Sequence, residues 1–295
     1  MHIPSSMLHG NICPVTAAVS AAGIVGASYL AYRCREKPSV TGFSTVTAMI
    51  FAVQMLNYPI SHGTSGHLLG GVMAASILGI PFAVLSMAVA LSVQAVFFAD
   101  GGMNTLGANI LNMGLIGAGL SGGILYVLRK NNVKGTLALA MTSWLSVVLA
   151  ASACSIELSV SKVMSLKDVL PAMVSIHAII GMGEAVATVV LMSILVTGYA
   201  KRSMILALVG ALLTPLSSQL PDGLMWISTQ KSFPIFENFS YQALMAGYIV
   251  PAFGLGVIAK IAAALVGVFL VFISVFILAS LIKRISLTGG QYERS

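Results

Sequence analysis

Nine apolar blocks organise the chain, at residues 17–32, 40–57, 66–78, 81–98, 106–128, 135–155, 169–199, 203–217 and 250–282. A helix that crosses a bilayer needs about 20 apolar residues. By that measure the third and eighth blocks are short and the seventh is long. The third and fourth separate at Gly79-Ile80-Pro81, because proline removes a helical hydrogen bond and biases its predecessor away from helical geometry. The pattern predicts an all-α membrane protein of about nine transmembrane helices.

The basic residues fall mostly between these blocks. With nine crossings and the amino terminus outside, one face collects Arg33, Arg35, Lys37, Arg129, Lys130, Lys134, Lys201, Arg202, Lys283, Arg284 and Arg294. The other face receives Lys162, Lys167 and Lys231, while Lys260 lies inside the last block. Eleven against three is the asymmetry of a cytoplasmic face against an outer one. Merging blocks three and four would send later clusters to the wrong side. The amino terminus, His67 and Asp100 are therefore expected on the outer face, and the carboxyl terminus in the cytoplasm. No Lys or Arg precedes Arg33, so the basic opening of a secretory signal is missing and the terminus is expected to be retained.

Composition agrees. Hydrophobic residues make up 58% of the 295 and charged ones 8%, about a third of the charge in a soluble domain. Mean hydropathy is +0.98, which predicts a polytopic protein whose main solvent is the lipid bilayer. The net charge of +7 invites a nucleic-acid reading, but the clustering between apolar blocks assigns it to membrane topology, and no nucleic-acid partner is expected. Cys13, Cys34 and Cys154 are odd in number and widely spaced, a pattern of isolated thiols and not of a disulfide framework or zinc site.

The candidate chemistry begins at Met1-His2. A terminal amine followed by histidine can chelate through the amine, the deprotonated amide and the imidazole, three corners of a square. His67 can supply the fourth. All-nitrogen square-planar coordination selects Ni(II) or Cu(II) among first-row metals. The plain alternative for either histidine is a solvated ring near a helix end. Against it stand the chelate geometry of His2 and the Gly/Ser/Thr-rich stretch 61–66 just before His67, which can fold back tightly. A ligating imidazole also wants its other nitrogen held, for which Asn57, Thr64 and Ser65 are candidates. His62 and His9 are read as solvated, with metal delivery as a lesser role. Met7, Met103 and Cys13 offer soft sulfur, although methionines in an apolar protein mostly serve packing. Protons compete for every nitrogen donor, so metal affinity is expected to fall below about pH 6.5, the ordinary histidine value.

His177 and Glu184 sit seven residues apart inside the seventh block with Gly181 and Gly183 between them, on one helix face. Ionisable groups inside a membrane are costly and usually functional. They fit either a metal-handling pair or a hydrogen-bonded fastening of this helix to its neighbours, with structural coupling preferred. The sequence has no GxxxxGK[ST] phosphate loop and no HExxH, which argues against its own ATPase and against a zincin-type hydrolase.

Met1-His2-Ile3-Pro4, Gly63-Thr64-Ser65-Gly66-His67-Leu68-Leu69-Gly70-Gly71 and the run from His177 to Glu184 resemble the substrate-binding component of nickel/cobalt energy-coupling factor (ECF) transporters, the NikM/CbiM family. The resemblance covers residues 1–217 as a seven-helix bundle. Residues 203–288, with Pro221-Asp222-Gly223-Leu224 and an outer loop at 219–249, resemble the small NikN-type subunit as a two-helix module fused to it. The segment 289–295 is a tail. The resemblance implies a metal site of Met1, His2 and His67, with Ni2+ or Co2+ as transported substrate and no resident cofactor. It implies partners too, a transmembrane coupling subunit and two ATP-hydrolysing subunits, in the inner (plasma) membrane of a prokaryote. The sequence departs from the family at Ser5-Ser6, where Asp-Gly is usual, at His62 in place of a glycine, and at Met225 in place of a glutamate. Two other classes remain open at this level: an intramembrane metal-dependent enzyme using His177 and Glu184, and an ATP-independent channel or exporter lined by them.

Overall fold

The computed structural model describes residues 2–234 and 241–292, with only the backbone of 284–292 and of His62. Each apolar block contains a helix. In chain order these are α1 (Ile12–Arg33), α2 (Val40–Gln54), α3 (Gly71–Leu78), α4 (Ile80–Phe98), α5 (Leu106–Lys130), α6 (Gly135–Val160), α7 (Leu166–Leu195), α8 (Tyr199–Leu213) and, last, α10 (Val257–Tyr292). Between α8 and α10 lies a short helix, α9 (Gly223–Gln230). It lies within the segment 219–249 that joins the two blocks: Asp222 caps it by accepting the Met225 amide at 2.8 Å, and Leu224 and Ile227 are buried. The tail departs from expectation, since α10 continues through residues 289–292; the remainder lies outside the described residues.

Among the described residues, seven helices are long and apolar enough to cross a membrane. Helix α2 is apolar but has 15 residues, and α3 has eight. In α1 only 17% of the apolar window is buried inside the protein, and in α7 only 28%. Valines such as Val25, Val186 and Val190 face outward. An apolar helix surface left uncovered by protein is covered by lipid, and the chain is an all-α polytopic membrane protein.

The break at Gly79 takes the expected form. Its φ of 85° ends α3 in a conformation that favours glycine, and Pro81 occupies the first turn of α4, where its missing N–H costs nothing. Helix α5 widens into π-helical turns over Ile110–Leu120. Gly71, at the start of α3, lies against that segment so closely that a Cβ would come within 2.9 Å of the backbone of Gly117 and Ala118.

One end of the bundle gathers the polar loops. Strands β1 (Tyr58–Ile60) and β2 (Thr64–Gly66) form an antiparallel hairpin, closed by Gly63 at a φ of 77°. The amino-terminal segment is inserted beside it, with Ile3 and Leu8 buried. Asn109 accepts the Ile3 amide at 2.8 Å, and the Ile3 carbonyl accepts from Gly102 N–H at 2.9 Å and Asn109 Nδ2 at 3.2 Å. The segment is therefore pinned through main-chain contacts, without an acidic residue after Pro4. Helices α8 and α10 pack on α2, and α10 also on α4, so the carboxyl-terminal third belongs to the same bundle.

Candidate metal centre

His2 and His67 meet at this end. Their rings stack with centroids 5.1 Å apart and planes inclined by 26°, and both residues are buried, at 6% and 7% exposure. They line a cavity of about 550 Å3 whose walls also include Asn57, Asp100, Asp222, Tyr248 and Lys260. Met1 lies outside the described residues, as does the side chain of His62.

A chain of hydrogen bonds determines which nitrogen of His2 can bind a metal. Gln54 Nε2 donates to the Leu69 carbonyl at 2.8 Å, so its Oε1 is the end that accepts from Gln94 Nε2, at 2.9 Å. Gln94 therefore turns its own Oε1 towards His2 Nε2, 3.0 Å away. A carbonyl oxygen can only accept, so Nε2 carries the proton and Nδ1 carries the lone pair. Nδ1 is the nitrogen that closes a six-membered chelate ring with the His2 amide. Asp100 Oδ1 stands 3.3 Å from it. An imidazole lone pair and a carboxylate oxygen are both acceptors, so this spot attracts a cation.

His67 is oriented by its own backbone. Its Nδ1 donates to the Leu68 carbonyl at 3.0 Å, which makes Nε2 the acceptor nitrogen. The expected partners do other work. Thr64 Oγ1 donates to the Pro221 carbonyl at 3.0 Å and Ser65 Oγ to the Leu220 carbonyl at 2.8 Å, while Ser65 N–H donates to Pro221 at 2.8 Å. The Asn57 amide donates to Ser217 Oγ at 2.9 Å. All three residues thus fasten the hairpin to the segment before α9.

The run from His177 to Glu184 receives this hairpin on α7. Tyr58 Oη donates to the Ile180 carbonyl at 3.0 Å, and Gly183 leaves room for its phenol, where a Cβ would sit 2.4 Å from the oxygen. Glu184 accepts the amides of Leu69 at 2.6 Å and Gly70 at 2.9 Å. Its carboxylate thereby holds the turn between His67 and α3, at the amino-terminal end of that helix, where negative charge is favourable. His177 lines a small cavity together with Gly66, His67 and Asp222. Its Nδ1 donates to the Met173 carbonyl one turn back at 2.8 Å, and its ring lies against Gly223. The two residues share a helix face and serve different neighbours.

Among the described residues no three His, Cys, Asp or Glu side chains converge as a metal-binding group. A centre of two imidazoles and main-chain nitrogens needs only His2 and His67.

Comparison with known proteins follows the same lines. Residues 2–201 match the family described as the cobalt uptake substrate-specific transmembrane region, CbiM. The chain belongs to this family. Over 190 residues it is 37% identical to a putative fused nickel transport protein NikMN of Archaeoglobus fulgidus, covering 64% of this chain and 63% of that one. It is 40% identical over 122 residues to the fused nickel transport protein NikMN of Rhodobacter capsulatus, covering 40% of this chain and 34% of the other. These matches thus span less than two thirds of either relative. A crystal structure of a truncated transition metal transporter superposes with a TM-score of 0.60 at 30% identity, covering 66% of this chain and 98% of that one. The CbiM family is one of uptake components, not of enzymes.

In this family member, burial sets the proton chemistry of the two rings. Desolvation lowers the pKa of His2 below its ordinary value of 6.5, against the opposing pull of Asp100. Desolvation also drives His67 well below 6.5. Proton competition at the rings therefore begins below the pH 6.5 expected from sequence. Between the lowered values and 6.5 the unfolded chain binds protons that the folded one refuses, so stability is full above 6.5 and lost as pH falls. The metal-free protein in detergent is expected to melt at a lower temperature at pH 5 than at pH 7, with a smaller difference in H67Q. An equal pH dependence in both proteins would contradict the assignment.

Gln54 and Gln94 were not singled out in sequence. Their signal is visible in retrospect, as amides inside otherwise apolar helices, each 2% exposed or less. Gln94→Leu removes the acceptor that fixes the His2 tautomer and is expected to weaken nickel binding about 10–100-fold, the scale for losing an outer partner of a ligand. Isothermal titration of the purified variant measures it; unchanged affinity would remove the amide chain from the site.

Proposed function

We propose that this chain is the metal-binding membrane subunit of an ATP-driven energy-coupling factor importer, with Ni2+ as its preferred substrate and Co2+ as the alternative. The observation that carries the reading is the meeting of two oriented rings, centroids 5.1 Å apart: His2 spends Nε2–H on Gln94 and keeps its lone pair on Nδ1, while His67 spends Nδ1–H on the Leu68 carbonyl and keeps its lone pair on Nε2. With the Met1 amine and the deprotonated His2 amide, these rings complete a four-nitrogen square, the donor set of Ni(II) or Cu(II). The names of the fused NikMN relatives favour nickel.

The metal end of the bundle faces outward in this reading. The basic residues at the opposite helix ends mark the cytoplasmic side of a prokaryotic inner membrane. No phosphate loop is present in the sequence, so hydrolysis is supplied by two ATPase subunits through a transmembrane coupling subunit. The family match stops at 201, which supports a division into a metal-binding unit, 1–217, and a NikN-like unit formed by α8, the segment to 249 and α10. The intramembrane enzyme reading loses its motivation, because both oxygens of Glu184 are committed to main-chain amides.

The visible spectrum of the nickel-loaded protein tests the donor set. One bound Ni2+ with the yellow absorption of a square-planar complex is expected. A pale octahedral spectrum would refute the four-nitrogen centre.

A further inference from the structure

Tyr248 lies beyond the residues matched by the family, yet reaches the metal end of the bundle. Its Oη donates to Asp100 Oδ2 at 2.6 Å, the short distance of a charge-assisted bond. The other oxygen of the same carboxylate faces His2 Nδ1. Tyr248 thus touches the proposed centre through one intermediary.

The contact is built at some cost. Tyr248 sits in the left-handed region at a φ of 59°, directly after Gly247 at 63°. Asp100 follows Ala99, also left-handed at a φ of 53°. Non-glycine residues in this region carry backbone strain and cluster at functional sites. Here both turns aim the two partners at one another. The Tyr248 ring is stacked on Phe98, centroids 4.7 Å apart, and Met245 N–H donates to the Phe97 carbonyl at 2.9 Å. Burial first, and the Asp100 charge second, raise the phenol above its ordinary pKa, so it remains a donor across physiological pH.

A carboxylate beside a four-nitrogen metal is a fifth ligand in waiting. Oxygen donors and higher coordination suit Co(II), whereas the bare square suits Ni(II). We propose that Tyr248 is a specificity-determining residue: by holding Asp100 through Oδ2 it keeps this carboxylate out of the coordination sphere, so that the centre stays square-planar and prefers nickel over cobalt. The proposal rests on the nickel reading above. The phenol bond draws negative charge away from the carboxylate and fixes its direction, which makes Oδ1, 3.3 Å from His2 Nδ1, a weaker donor to a metal held on that nitrogen.

The test uses the full-length purified protein, nickel and cobalt salts, and three variants. In Y248F the ring still stacks on Phe98 but the donor is gone. Its nickel spectrum is expected to shift from square-planar towards a higher-coordinate form, and its nickel-to-cobalt affinity ratio to fall about tenfold. In the double variant Y248F/D100A no carboxylate remains to coordinate, and the planar spectrum is expected to return, which a merely structural role for Tyr248 would not produce. Asp100→Glu extends the carboxylate past the phenol and should give the higher-coordinate spectrum with Tyr248 intact, which keeps the test valid if Y248F folds poorly. A planar Y248F with an unchanged ratio would overturn the proposal, as would a double variant that stays higher-coordinate. If the unmodified protein itself is not square-planar, it is the nickel centre that has failed; a planar parent with an indifferent Y248F sinks only the role of Tyr248.

Discussion

One extra residue placed before Met1 is expected to abolish tight nickel binding, with a loss larger than the roughly 10–100-fold that follows removal of an outer partner. The extension converts the terminal amine into an amide, which removes one donor and one chelate ring together. The remaining imidazoles cannot compensate, because the buried pair is held by Gln94 on one side and the Leu68 carbonyl on the other. The fold should survive. Ile3 stays anchored on Asn109 and Gly102, and the melting temperature of the metal-free protein is expected to change little. Equilibrium dialysis with nickel decides the matter: an extended protein that still binds one ion with undiminished affinity would rule out the terminal chelate.

Glu184→Ala is expected to have the second largest effect, and by another route. The substitution leaves the amides of Leu69 and Gly70 buried without acceptors, at about 1–3 kcal/mol each. These amides bracket the turn that carries His67 into α3, so the loss should appear both as a lower melting temperature and as nickel binding weaker by at least about tenfold. Glu184→Gln supplies one carbonyl oxygen but points an NH2 at the second amide, and should recover only part of the loss. His177→Ala is expected to be milder, since its ring serves the contact with Gly223 and no main-chain amide depends on it. If His177→Ala abolished nickel binding while Glu184→Ala spared it, the division of labour drawn from the structure would be reversed.

The run from His177 to Glu184 shows how much of such a motif a sequence can convey. Its spacing places both ionisable side chains on one helix face, and the cost of burying charge in a membrane marks them as important. Whether they handle metal or fasten a loop depends on what lies opposite. For Glu184 that neighbour is the turn after His67, more than a hundred residues away in sequence, and for His177 it is Gly223. The same holds for Thr64 and Ser65. Their place beside His67 suggests support for its ring, but their buried hydroxyls are spent on the Leu220 and Pro221 carbonyls. The nearest available acceptor for His67 Nδ1 is its own neighbour's carbonyl, a main-chain group that no side-chain pattern reveals.

By itself, the sequence determined the class of the protein, the helical blocks with the break at Gly79, and the pairing of His2 with His67 as candidate ligands. These follow from local quantities: apolar run length, the geometry of glycine and proline, and the chelating reach of adjacent nitrogens. Tertiary structure alone decided the tautomer of His2, the task of Glu184, the extra helix after Asp222 and the bond from Tyr248 to Asp100. Each depends on donors and acceptors brought together across long sequence separations. A buried polar group must find a partner, but packing of the helices chooses which one.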